Sequence, residues 1–155
     1  MSRRKKTTAT APRRPAAPVP SPATPCPCGL DGRGYGDCCG VLHASDGGPG
    51  SPAAATAELL MRSRYSAFAV GDGGYLLRSW HSSTRPARLD LDPAQQWLRL
   101  EVLGATEGGP FHVGGTVAFR AHWREQGQEG VVEENSRFVR EGGAWVYLDA
   151  LPDAR

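Results

Sequence analysis

The sequence predicts an α+β protein: a small cysteine knuckle followed by a domain in which helices come first and an antiparallel meander of strands comes after. Three observations carry this reading. Cys26, Cys28, Cys38 and Cys39 are the chain's 4 cysteines and sit within one short, glycine-rich stretch. Residues 56–81 place apolar side chains at helical spacing between capping residues, and from Trp97 onward the pattern changes to β-branched and aromatic runs separated by Gly-rich breaks. Helices gathered before strands argue for helices packed on one face of a curved antiparallel sheet.

The elements follow in order. Residues 1–25 contain Arg3, Arg4, Lys5, Lys6, Arg13 and Arg14, no acid, and Val19 as the one larger aliphatic. Such a Pro/Ala-rich segment cannot bury enough apolar surface to offset its ordering entropy, so a disordered basic tail is expected. Without those six, the 18 Lys plus Arg fall to 12 against 16 Asp plus Glu, so the body is mildly acidic. The net charge of +2 therefore describes a tail and is no reason to class the whole chain as a nucleic-acid binder. The tail reads either as solvated or as a weak contact with RNA through its arginines. No apolar run of about 7–15 residues follows the basic start, and no membrane span follows downstream, so a cytoplasmic location is expected.

Residues 26–43 form the knuckle. Cys26-x-Cys28 and the adjacent Cys38-Cys39 supply four thiolates, enough to surround one Zn²⁺ tetrahedrally. Gly29, Gly32, Gly34, Gly36 and Gly40 are expected to supply positive-φ turns and to aim backbone amides at the sulfurs. Disulfides and free thiols are the alternatives; a disulfide would be comfortable only between the long-range pairs. His43, four residues after Cys39, could replace one cysteine as ligand. A closed four-thiolate site leaves no open position for water or substrate, so its metal would be structural.

Residues 44–55 are Gly, Pro and Ser rich and read as a linker. Thr56 can N-cap a helix in which Met61, Tyr65 and Phe68 recur, with Gly71 as its stop. Asp72 can N-cap a second helix that carries Tyr75, Leu76, Ser79 and Trp80 on one side and reaches His81. Strands are expected over 97–103, 116–123, 131–139 and 144–148, with hairpin turns at Gly127 and Gly142-Gly143. In the second strand Val117, Phe119, Ala121 and Trp123 share one face, the alternation of a half-buried strand.

Leu60-Met-Arg-Ser-Arg-Tyr-Ser-Ala-Phe68, Tyr75-Leu-Leu-Arg-Ser-Trp-His81, Thr84-Arg-Pro86, Ser136-Arg-Phe-Val-Arg140 and Trp145-Val-Tyr147 together closely resemble the YchJ-like family of bacterial proteins. The resemblance covers about residues 25–150. It implies a zinc motif of the kind at the C-terminal end of the SecA translocation ATPase (SEC-C), followed over 56–151 by the cone of nuclear transport factor 2, also called cystatin-like. It implies Cys26, Cys28, Cys38 and Cys39 as ligands, and no established enzymatic activity. The SecA tail has His where this chain has Cys39, and the motif has one residue fewer between the second and third ligands. By analogy with SecA, a protein or ribosome partner is expected at the knuckle. Cone-fold proteins often dimerise through the open sheet face, which leaves a homodimer open.

A cone encloses a pocket between helices and sheet. Arg64, Trp80, His81, Arg85, Glu134 and Asp149 are the residues expected there. His81 near Glu134 or Asp149 could serve as a general base and Arg85 as an anion clamp; the competing reading makes them struts between a helix end and the sheet. Arg62, Arg64 and Arg78 could instead pair with Glu133 or Glu134 on the surface. The sequence shows no catalytic triad, phosphate-binding Gly loop or metallohydrolase helix motif.

Overall fold

The structure is a computed structural model and describes residues 20–152. Most of the tail reading falls on residues 1–19, outside the described residues. Residues 22–25, which composition assigns to the tail, instead lie against the knuckle. Tyr35 N–H donates to the Thr24 carbonyl at 2.7 Å, Gly36 N–H to Pro22 at 3.0 Å, and Pro25 bridges to Gly34. Backbone pairing to a fixed loop orders them despite their lack of apolar side chains.

Within the knuckle, two single 3₁₀ turns at Leu30–Gly32 and Tyr35–Asp37 lead into a short helix α1, Cys39–His43. Gly29 and Gly32 take positive φ as expected, at 73° and 63°. Gly34, Gly36 and Gly40 do not; they are needed for close approach. A Cβ on Gly40 would lie 2.5 Å from the Tyr35 carbonyl oxygen, so only glycine lets α1 fold back onto that turn.

Helix α2 spans Ala57–Val70. The Thr56 side chain accepts from Leu59 N–H at 3.1 Å, and Gly71, in the left-handed region, closes its C-terminal end. Helix α3, Gly73–Arg78, begins at Asp72, whose carboxylate accepts from Tyr75 N–H at 3.0 Å. It ends before His81, short of the expected length. Trp80 leaves the helix to pair in parallel with Tyr147, through His81 N–H to the Tyr147 carbonyl at 2.8 Å and Tyr147 N–H to Ser79 at 2.9 Å. The open edge of the sheet offers those groups partners that another helical turn would not.

Strands β1 (Gln96–Glu107), β2 (Gly114–Glu125), β3 (Gln128–Glu141) and β4 (Ala144–Ala150) pair antiparallel in the order β1-β2-β3-β4. Both expected hairpin turns are present. Each places two consecutive residues at positive φ, Gln126-Gly127 and Gly142-Gly143, as a twist-matched tight turn requires. Register shifts between Trp97 and Arg99, between Val102 and Gly104, and between Arg137 and Phe138 bend the sheet around α2.

The core lies between α2 and the concave face. Leu60 and Met61 meet Val117, Phe138 and Trp145 at one end, while Tyr65 and Ala121 form a continuous cluster with Cys26, Cys28, Tyr35 and Cys39 at the other. The knuckle thus shares its core with the domain that follows. Among the described residues, no helix is long and apolar enough to cross a membrane.

Burial raises the phenols of Tyr35 and Tyr65 to about 12 and also raises Tyr147. Unfolded tyrosines ionise near pH 10. Above that pH the folded chain binds more protons than the unfolded one, and stability is lost as pH rises toward the folded values. Arg64, lowered by burial to about 10, acts in the opposite sense but is one group against four, since burial raises Tyr75 as well. The urea midpoint is expected to fall between about pH 10 and pH 12, and less steeply in a Tyr35→Phe, Tyr65→Phe variant.

Candidate metal centre

The four cysteines are free thiols whose sulfurs all lie within 4.8 Å of one another. Cys28 Sγ is 3.6 Å from Cys38 Sγ, far beyond a disulfide bond of about 2.05 Å. Cys26, Cys28 and Cys39 are buried and Cys38 is half-buried. The Cys28 and Cys39 side chains crowded against Cys26 lower its pKa. The Cys26 side chain beside it holds the Cys39 thiol well above the usual range, and burial pushes Cys38 up to about 12. A cluster that crowds thiols in this way could hold a metal ion, whose charge would replace those protons.

Helix α2 supports the cluster from one side. Ser66 Oγ is 3.6 Å from Cys26 Sγ, and Arg62 donates from Nη1 to the Cys28 carbonyl at 3.0 Å while its Nε bonds Glu58 at 3.0 Å. The Arg62 pairing with Glu133 or Glu134 is therefore not formed. Arg120 occupies Glu133, at 2.7 Å, and Arg78 donates to the His43 and Ser45 carbonyls at 2.7 and 2.9 Å.

His43 lies outside the cluster of four cysteines. Its Nε2 donates to the Ser63 carbonyl at 2.8 Å, which leaves Nδ1 to accept from the Tyr35 hydroxyl. Burial lowers its pKa, in keeping with a neutral ring. The ring also stacks on Tyr75 with centroids 4.6 Å apart, so it joins knuckle, α2 and α3. His43→Ala is expected to cost about 2 kcal/mol, because it leaves buried hydrogen-bonding groups unpaired. Its metal-to-chain ratio should equal wild type; a lower ratio by elemental analysis would return His43 to the ligand set.

A second feature is the cavity of about 350 Å³ between α2 and the sheet. Helical spacing places Met61, Arg64, Tyr65 and Phe68 on one wall, and strand alternation places Val132, Glu134, Ser136 and Phe138 on the other. Trp80, Trp97, Phe119, Ala121 and Tyr147 complete it. Of the residues expected here, Arg64, Trp80 and Glu134 are brought together and three are not. His81 lies outside, with Nδ1 2.7 Å from Ser83 Oγ and Nε2 3.7 Å from Glu141. Arg85 folds onto the Trp80 carbonyl at 2.8 Å, and Asp149 holds Arg137 in a bidentate pair at 2.6 Å. The early end of α3 turns His81 and Arg85 away from the cavity, and the register shift beside Arg137 accompanies the turn of Asp149 to the outer face. Tyr147 and Ser136 were missed, although the alternation through Glu134 and Phe138 points to Ser136.

A four-thiol knuckle seated on the first long helix of a cone, two helices over a four-stranded antiparallel sheet, defines a SEC-C-type knuckle joined to a nuclear-transport-factor-2-like domain. The family model described as "YchJ, middle NTF2-like domain" matches residues 56–150, and the chain belongs to the YchJ-like family. It is 54% identical over 128 residues to a UPF0225 protein of Streptomyces coelicolor, covering 83% of this chain and 95% of that one. To a UPF0225 protein of Streptomyces avermitilis it is 51% identical over 149 residues, covering 96% of each. The solution structure of a SEC-C motif containing protein from Rhodopseudomonas palustris superposes with a TM-score of 0.69 at 34% identity, covering 83% of this chain and 98% of that one. A crystal structure of a SEC-C motif containing protein from Psychrobacter arcticus gives 0.64 at 26% identity, covering 84% of each.

Proposed function

We propose that Cys26, Cys28, Cys38 and Cys39 hold one structural Zn²⁺, and that the knuckle so formed is a recognition surface for a protein or ribosomal partner in the cytoplasm, with the cone as its rigid support. The thiol cluster carries the metal half of this reading. Zinc–thiolate bonds of about 2.3 Å give a tetrahedron with sulfur–sulfur edges of about 3.8 Å, close to the 3.6 Å between Cys28 and Cys38. Four thiolates complete the coordination shell. The metal then supplies folding energy and activates no nucleophile.

A groove of about 260 Å³ beside the cluster supports the recognition half. Leu30, Val41, Leu42 and Pro52 give it an apolar floor, and Arg33 and Asp37 stand on its rim. Val41, 41% exposed, adds apolar surface to this groove. The likeness to SEC-C motif containing proteins supports the same assignment.

The test compares what co-purifies at moderate salt with wild type and with a Cys38→Ser, Cys39→Ser variant whose cone is shown to be folded, with zinc measured on both. A partner enriched on wild type and lost with the zinc is the expected result. Identical sets would end the adaptor reading. An association that survives the double substitution but vanishes on deleting residues 1–25, and weakens steeply with salt, would assign the contact to the basic tail and RNA.

A further inference from the structure

We propose that the cone cavity is a binding site for a small aromatic monocarboxylate, held by the spare donors of Arg64. Arg64 is 7% exposed, with its guanidinium 5.0 Å from the Trp80 ring centroid and 4.8 Å from that of Tyr147. Nη1 donates to the Leu76 carbonyl and to Ser79 Oγ, both at 2.7 Å. Among the described residues Nε and Nη2 make no hydrogen bond and the guanidinium has no ion-pair partner. A buried charge is ordinarily paired, and this one has donors left over on the wall of a cavity.

Among the described residues the unpartnered side-chain nitrogens with no accessible surface are the Trp80 and Trp145 indoles; the spare Arg64 nitrogens are not among them, so they keep accessible surface while their residue lines this cavity. Accessible guanidinium donors with no hydrogen bond, on the wall of a mostly aromatic cavity, describe a place for acceptor oxygens. Burial lowers the Arg64 pKa to about 10, which keeps it protonated at neutral pH.

Glu134 does not supply the missing anion. Its Oε2 accepts from Ser136 Oγ at 2.6 Å and from the Tyr147 hydroxyl at 3.0 Å, which holds that carboxylate on the strand side. Its charge selects a ligand with one carboxylate over a ligand with two. Tyr65, Phe68, Trp97 and Phe119 set the rest of the specificity, since their faces and edges suit a flat apolar body. The volume of about 350 Å³ is in the range of small-molecule sites.

The test uses the full chain, ¹⁵N-labelled, titrated with 1-naphthoate and separately with 1-naphthamide. The Trp80 indole resonance, assigned by its loss in Trp80→Phe, is followed. A saturable shift with naphthoate is expected, with the amide binding about tenfold or more weakly, as loss of a charge-assisted pair implies. Arg64→Met should remove the preference for the acid. Because Arg64 also ties α2 to α3, Val132→Trp is the second variant: it fills the cavity from a half-exposed strand position and should abolish binding of both compounds in a folded chain. The absence of a saturable shift with naphthoate at millimolar concentration, equal affinity for acid and amide, or unchanged binding by Val132→Trp would each overturn the proposal.

Discussion

Removing the metal, by chelation or by Cys39→Ser, is expected to release residues 26–43 from the cone while leaving the sheet folded. Structural zinc sites contribute an apparent binding free energy of about 10–16 kcal/mol, as much as the whole stability of a typical domain at about 5–15 kcal/mol. The knuckle has little else of its own. Its helical elements run to five residues at most, and its buried residues are Cys26, Cys28, Cys39 and Tyr35. Arg62, Ser66 and His43 tie it to α2, and its own bonds are those of single turns and the Tyr35–His43 pair, too few to hold its shape alone. Hydrogen exchange should therefore show protection lost over 26–43 and retained over the β2 and β3 amides. Full protection of the knuckle in metal-free protein would show that the metal has no structural role. Metal binding must also displace protons from Cys39 and from Cys38, which burial holds at about 12, so affinity falls as pH falls. A chelator should strip the metal more readily at pH 6 than at pH 8.

Arg64→Ala is expected to lower stability by about 3 kcal/mol with the metal content unchanged. Two buried acceptors, the Leu76 carbonyl and Ser79 Oγ, lose their donor at about 1–3 kcal/mol each. Two aromatic rings lose a desolvated cation, at about 0.5–2 kcal/mol each. Relief of the desolvation of the charge offsets part of this sum, which is why the net falls well below the total. Arg64→Met, which keeps the packing of the stem, should cost less. Urea denaturation gives the answer through the midpoint at constant slope. A variant as stable as wild type would mean that the cost of burying the cation cancels everything it contributes.

Local chemistry was legible without the fold. Thr56, Gly71 and Asp72 mark helix ends because a cap is decided within four residues, and Gly127 and Gly142-Gly143 mark turns because tight turns demand positive φ. The four cysteines announced their cluster by being close in the chain, where no tertiary information is needed to bring them together. Inner-face alternation in β2 was also legible, since side chains of a strand must alternate.

The cavity was legible only in part, for a definite reason. Arg64 and Glu134 face each other across the cavity by virtue of helical and strand periods that the sequence displays. His81, Arg85 and Asp149 depended on where α3 ends and where β3 and β4 shift register, both decided by competition for the open edge of the sheet. The role of His43 was hidden likewise, because Tyr35, Ser63 and Tyr75 meet it only after α2 is laid against the knuckle. By itself the sequence determined the elements, their caps and the cluster of four cysteines, all governed by interactions a few residues long. The tertiary structure alone decided which polar groups are left unpaired in the cavity, because hydrogen bonds between distant segments are assigned only when the segments pack.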